Sequence, residues 1–577
     1  MNESCRCRFF TLALSALVVT ARGGEAPDLI LFNGKIVTVD PRFSIQEAIS
    51  IRGARILEVG SKTAILETRD YHTELVDLGG RLVLPGLIDS HTHPLGAAMT
   101  EFDHPIPDMS SISDVLDYFR ERARVTTAGD WIVLQQVFIT RLTERRYPTR
   151  QELDRVAPKN PAVFRTGPDA SFNSLAMKAA GIDRNFRIPE GVAGKVERDS
   201  QGEPTGILRN FGNFTHIPDT GRNPSEAASE GRLEQLFRDY NSAGITSIGD
   251  RNASPEAIRL YDTMFKRGEL SVRIAISHEL GSSGSVESIQ QNIEKISRHP
   301  DHNKSPMLKI IGVKMFLDGG MLTGSAYMRE PWGVSEIYSI TDPNYRGVLF
   351  IPREKLLPIV RATMNAGLQF TAHSVGDGAV ETLLSVYEEL AREKPIRPMR
   401  PCITHANFLT EQAIGKFSDL GVVLDIQPDW LYLDSATLLK QFGNERLRWF
   451  QPLKTLFARG VTIGGGSDHM QKVGSIRSIN PYNPFLGIGT AVTRQARGLG
   501  TPIHPEERLS REEAIRFYTI NNAYLLFSEA DVGSLEKGKL ADLTVVDRDL
   551  LTCPAEAIAG TKVVRTYLGG KLVFSGE

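Results

Sequence analysis

Short apolar runs rich in β-branched residues recur along this chain and alternate with helical patterns. Gly244 to Asp250, Ile310 to Phe316, Leu368 to His373, Val422 to Gln427 and Val461 to Asp468 all read as buried strands. Helical segments precede several of them. One runs from Glu354 to Ala366, with Gly367 in the position expected just past a helix end. Repeated strand and helix units imply a parallel sheet, and this many imply an α/β fold of the TIM-like (β/α)8 barrel kind.

The two ends of the chain have a different texture. Leu29 to Val39 reads as two short strands around an Asn33-Gly34 turn, and Ala48 to Val59 as a second pair around Arg52-Gly53. Near the C-terminus, Ala541 to Asp547 reads as a strand and Val563 to Phe574 as a hairpin turning at Gly569-Gly570. Each set is too small to be stable alone, so the expectation is one small β-sandwich domain formed from both termini. The predicted division is 27–84 and 531–577 for the sandwich and 85–530 for the barrel. The stretch from about 108 to 220 fits the barrel rhythm poorly and is expected to be an insertion after the first barrel strand, covering the barrel mouth.

Residues 1–21 have the three parts of a signal peptide: a polar start, an apolar stretch from Phe9 to Val19, and the small residues of Val19-Thr20-Ala21. The apolar stretch is about half of what a membrane span needs, so the expectation is an exported, periplasmic or secreted protein with no stable membrane insertion. Cleavage would leave Cys402 and Cys553 alone, which excludes a cysteine-rich scaffold. Net charge is −2, and no basic run interleaved with aromatics occurs, so the expected partner is a small molecule and not nucleic acid. A homo-oligomer is compatible with the composition.

Titratable residues gather at the C-terminal ends of the predicted strands, where barrel active sites lie. His91 and His93 end the apolar run that begins at Leu82. Residues i and i+2 of a strand share a face, so this pair can bind one metal ion together. Lys314, His373, His405 and Asp468 follow at later strand ends. Taken singly, each has a structural alternative. A strand-end histidine can be a hydrogen-bonded core residue, Asp468 can cap a helix, and Lys314 can pair with Asp318.

The segments Pro85 to His93, Val313 to Gly319, His373 to Asp377, Gly466-Ser467-Asp468, Ala491 to Arg494 and Gly533 to Leu543 occur in this order. In combination they resemble the amidohydrolase superfamily, in the amidohydrolase family 3 branch that includes N-substituted formamide deformylase. The resemblance covers nearly everything from Asp28 onward. It implies a metal-dependent barrel in which His91 and His93 hold one divalent ion and His373 and His405 a second. Lys314, carbamylated by CO2, would bridge the two, and Asp468 would touch the first ion and act in catalysis. Nitrogen and oxygen ligands suit zinc, with one or two ions per chain. The implied reaction is hydrolysis of a non-peptide C–N bond of a small amide by a metal-activated hydroxide, with Asp468 carrying the proton to the leaving amine.

Three departures from the family pattern bear on the substrate. Thr404 stands before His405 where relatives have Glu, Pro168 follows Gly167 where relatives have His, and Asn210 follows Arg209 where relatives have Glu. These leave the ligand set intact but change polar groups near the pocket, so the resemblance does not by itself fix formamides as the substrate. A cyclic-amide, carbamate or ester hydrolase on the same centre is the alternative within enzymes. A non-catalytic periplasmic binding or regulatory protein is the alternative of another class. Arg494 is a candidate partner for a substrate carboxylate, or else a structural ion pair. Trp332 is a candidate pocket wall, or else a cover for the core. His216 and His278 have no partner legible in the sequence and are taken as structural.

Overall fold

In the computed structural model, which describes residues 26–218, 223–302, 305–475 and 478–576, eight parallel strands run in chain order around a barrel. They are β1 (Leu87–Thr92), β2 (Ile245–Ala253), β3 (Arg273–Glu279), β4 (Leu308–Phe316), β5 (Gln369–Ser374), β6 (Cys402–His405), β7 (Val423–Ile426) and β8 (Ile463–Gly465). The leader expected at 1–21 lies outside the described residues. Among the described residues no helix is long and apolar enough to cross a membrane.

The ladder is continuous from β1 through β8. It closes just past the end of β8, where Asp468 N–H donates to His91 O and His93 N–H to His469 O, both at 2.8 Å. Helices cross between strands, among them Glu226–Ser242, Pro255–Arg267, Val286–Ser297, Arg353–Asn365, Asp377–Glu393 and Glu411–Leu420. Their ends follow from local chemistry. Ser225, Ser254, Ser285 and Thr410 cap N-termini by accepting from a backbone N–H three residues on. Gly268 and Gly421 close C-termini in the left-handed conformation. Leu260, Tyr261, Leu356, Val360, Leu383 and Tyr387 turn the buried faces of three of these helices onto the barrel strands, in one core.

The strands of the two ends share one mixed sheet. From one edge it runs Lys571–Ser575, Val563–Leu568, Leu543–Val546, Leu82–Pro85, Leu29–Val37, Ile45–Arg52 and Arg55–Gly60, with Glu74–Asp77 also beside Leu29–Val37. The seam between the ends is the antiparallel pairing of Leu543 with Pro85 through Val546 with Leu82. A two-pronged ion pair, Arg273 to Asp542 at 2.7 and 2.8 Å, fastens this sheet to β3.

One sequence expectation needs correction. The Leu29 to Val39 segment is one strand, not two. Asn33 sits at φ 59° and shifts the register, while the halves on either side pair with the same neighbour. The apolar run from Leu82 divides at Gly86, so that Leu82–Pro85 serves the terminal sheet and Leu87–Thr92 the barrel. A side chain at Gly86 would fall 2.2 Å from Thr246 Oγ1, so the crossing needs glycine.

Between β1 and β2 lies a separate five-stranded sheet, ordered Lys195–Arg198, Pro204–Arg209, Asp169–Phe172, Ala162–Thr166 and Ile132–Leu134. Its apolar side packs with the long connection after β4, where Met321, Trp332 and Tyr338 join Phe119, Leu153 and Phe164 in a second core. That core holds the insertion over the C-terminal ends of the strands.

Candidate active site

His91 lies within β1 and His93 one residue past its end, so strand alternation brings both imidazoles to one side. Their Nε2 atoms are 3.3 Å apart. Asp468, just beyond β8, turns its Oδ1 to within 3.2 Å of His91 Nε2 and 3.1 Å of His93 Nε2. Its backbone is left-handed, φ 55°, a conformation that short polar side chains tolerate best. Three ligand atoms thus converge on one point. Tetrahedral zinc with bonds of about 2.0–2.1 Å separates its ligands by about 3.3–3.4 Å, so this donor set fits such an ion.

Lys314, His373 and His405 stand beside this group. Lys314 is 1% exposed on β4, and its Nζ has no hydrogen-bond partner. Burial pulls its pKa down to about 8. The ion pair with Asp318 considered from the sequence is not formed. Asp318 instead accepts the backbone N–H groups of Tyr327, Val375 and Gly376. A buried amine without an acceptor is an unmet polar group inside the protein that calls for an explanation at this centre.

His373 and His405 meet edge to face with ring centroids 4.5 Å apart. The Gly319 carbonyl, 3.3 Å from His373 Nε2, and Gln427 Oε1, 2.7 Å from His405 Nδ1, fix their orientations. His405 is stacked between His91 and Trp430, with centroids 5.0 and 4.8 Å away. Its φ of 76° is a strained setting held by this packing. Burial pushes His373 down to about 3 and holds His91 and His405 well below the usual histidine range. The rings are therefore neutral, the form a metal ligand requires.

Several supporting groups escaped the sequence reading. Asp425 on β7 is fully buried and accepts from Ser90 Oγ at 2.7 Å, His91 Nδ1 at 3.0 Å and Gln427 Nε2 at 3.1 Å. Arg251 on β2 lies 3.5 Å from the same carboxylate. Asp89 accepts from the backbone N–H groups of His91 and Ser467, both at 3.0 Å, tying β1 to the loop that carries Asp468. The available signal was polarity inside an apolar strand: Asp425 and Gln427 alternate with Leu424 and Ile426 in a run read only as buried β.

A cleft of about 1060 Å³ opens over these residues. Trp430 and the insertion residues Gln136, Arg165, Asn210 and His216 form part of its wall. His278 faces an adjoining cleft of about 730 Å³ and hydrogen-bonds to the Glu279 carbonyl at 2.7 Å.

Arg494 and Trp332 do not line the active-site cleft. The Arg494 guanidinium is buried and donates to the carbonyls of Ile503, Gln451 and Phe450, so it is neither a substrate clamp nor a salt bridge. Trp332 packs against Tyr338 and Phe442 and donates its indole N–H to Ala326 O at 2.8 Å. Both are large side chains with buried polar tips that find protein acceptors, which a sequence pattern does not distinguish from ligand contacts.

Residues 74–574 match the model of the amidohydrolase family. N-substituted formamide deformylase of Arthrobacter pascens is 28% identical over 565 residues, 94% of this chain and 98% of that protein. The protein LONG AFTER FAR-RED 3 of Arabidopsis thaliana is 28% identical over 573 residues, covering 96% of this chain and 93% of its own. Among solved structures, an uncharacterized metal-dependent hydrolase from Pyrococcus horikoshii OT3 superposes with a TM-score of 0.64 at 21% identity. That match covers 91% of this chain and 99% of the other, and shows the shared fold.

Proposed function

Because the chain belongs to the amidohydrolase family and is a hydrolase of C–N bonds other than peptide bonds, we propose that it hydrolyses the amide of a small molecule in the cleft over His91, His93 and Asp468, with a divalent metal as cofactor. The convergence of two Nε2 atoms and one carboxylate oxygen, 3.1–3.3 Å apart, carries this reading. His91, His93 and Asp468 would hold one ion, zinc by the nature of the donors, and His373 and His405 a second, with Lys314, carbamylated by CO2, between them. When bound, such an ion supplies Lewis acidity, polarising the amide carbonyl and making water acidic enough to be deprotonated near neutral pH.

The chain's own residues supply the rest. Asp468 is the proton carrier: its carboxyl lies among the ligand atoms, and burial raises its pKa. It takes a proton from the attacking water and returns it to the amine nitrogen as the C–N bond breaks. Asp425 and Gln427 hold His91 and His405 in single tautomers, so the donor atoms face the centre before substrate arrives. Trp430 and the insertion residues wall the cleft over these groups.

The test is elemental mass spectrometry of the purified protein, joined to a screen of N-formyl, N-acyl and cyclic amides before and after chelation. About two ions per chain with chelator-sensitive turnover is the expected result. About one ion would remove Lys314 as a bridge. Full turnover after complete metal removal would overturn the metal-dependent reading, and neither metal nor turnover after reconstitution would leave a binding protein.

A further inference from the structure

The insertion wall carries a cation that the reaction described above does not use. Arg165 is the penultimate residue of the insertion strand Ala162–Thr166 and lines the same cleft as His91, His93 and Asp468. Its strand is tied to the loop after β8: Gly167 N–H donates to Gln136 Oε1 at 2.9 Å, and Gln471 Nε2 donates to Gln136 O at 3.0 Å. Gln471 is close in sequence to Asp468, so Arg165 is fastened to the segment that carries the proposed proton carrier.

Two other arginines of the insertion have carboxylate partners. Arg209 meets Glu197 at 2.9 Å, and Arg141 meets Asp434 at 2.9 Å. Arg165 has none among the described residues. Its Nη1 donates to the neutral Gln135 Oε1 at 3.2 Å, and its guanidinium lies over the Phe211 ring, 5.6 Å from the centroid. Its Nε is buried with no hydrogen-bond partner. The neighbouring carboxylate, Asp169, is engaged by Arg209 at 3.4 Å and by Asn210 N–H at 3.0 Å. Burial draws the Arg165 pKa down with no nearby charge to offset it. A largely buried guanidinium without an anion is costly, and a guanidinium is the side chain best suited in charge and shape to a carboxylate.

We propose that Arg165 binds a carboxylate of the substrate, so that the amide cleaved is an amide acid such as an N-acyl amino acid. This rests on the hydrolase reading and narrows its substrate class. The sequence offers Arg494 as a candidate for that role beside a structural one, but its donors are spent on backbone carbonyls.

The test compares kcat/KM of the metal-loaded protein on N-formyl and N-acetyl amino acids with the matching N-acyl amines that lack the carboxylate. Succinamate and butyramide serve as the pair with the carboxylate on the acyl side. The expected preference for the anionic member is about 10- to 100-fold, the worth of a charge-assisted hydrogen bond in a desolvated site. Arg165→Met should reduce that ratio to near one, chiefly through KM, and Arg165→Lys should restore part of it. Equal or reversed preference in the wild type overturns the proposal without any variant, as does an equal loss on both members in Arg165→Met. Calorimetric titration with phenylacetate separates the two readings. If no amide is hydrolysed the hydrolase reading falls. Phenylacetate binding that weakens at least about tenfold in Arg165→Met would still uphold the carboxylate site, and absence of binding to the wild type would end it.

Discussion

Asp425 on β7 accepts the Nδ1–H of His91 at 3.0 Å, and through Gln427 the same carboxylate orients His405. One buried acid therefore fixes the tautomers of a histidine in each proposed half of the centre, with Nε2 left as the donor to metal. Asp425→Asn keeps the shape but weakens the acceptor. Its zinc affinity should fall about 10- to 100-fold in competition with a chromogenic chelator. Asp425→Ala should in addition lose about 3–5 kcal/mol of stability, because Arg251, 3.5 Å away and fully buried, is left without its counter-charge. Wild-type zinc affinity in a folded Asp425→Asn protein would remove the orienting role.

Asp468 combines a proposed ligand, a proposed proton carrier and a left-handed backbone at φ 55°. Asparagine tolerates that backbone and keeps the side-chain volume, so Asp468→Asn should fold and melt close to wild type. It cannot carry the proton, and kcat should fall about 10²- to 10⁴-fold. Alanine at this position adds a backbone cost of about 1 kcal/mol that asparagine avoids. Turnover retained in Asp468→Asn would mean that another group moves the proton.

Lys314 predicts a pH dependence for the chelator-stripped protein. Burial lowers its pKa from 10.5 to about 8, so between those values the unfolded chain holds a proton that the folded chain has released. Stability therefore rises with pH through this window, and the cost of burying the ammonium is complete below about 8. Lys309, also lowered to about 8, contributes in the same direction, so the measurement is a difference. Scanning calorimetry should show a smaller gain from pH 8 to 10.5 in Lys314→Met than in the wild type, and a higher melting temperature for the variant at pH 7. Parallel pH profiles would clear Lys314 of the effect.

The barrel was legible because its strands are apolar on both faces and end in chemistry-bearing residues. Those positions, His91, His93, Lys314, His373, His405 and Asp468, lie together in the structure. β3 was missed because Arg273, Ser277, His278 and Glu279 interrupt its apolar residues, although Arg273 is satisfied by Asp542 from the far end of the chain. Asp425 and Gln427 were missed for a related reason. The histidines they orient are far away in sequence, 334 residues for His91 and 22 for His405, so nothing local marks them as more than polar interruptions. Arg494 and Trp332 show the converse error, where a residue type suited to binding is consumed by carbonyls of its own chain.

Arg494 supplies the sharpest contrast with Arg165. Its Nε and Nη atoms donate to three carbonyls, at 3.0 Å to Ile503, 2.6 Å to Gln451 and 3.3 Å to Phe450. Removing the guanidinium leaves those buried acceptors unmet at about 1–3 kcal/mol each, so Arg494→Met should melt well below the wild type or accumulate poorly. Its ratio of kcat/KM between carboxylate-bearing and neutral amides should stay that of the wild type, because the side chain lies outside the cleft wall. A variant that folds normally yet loses that discrimination would return the carboxylate site to Arg494 and take it from Arg165.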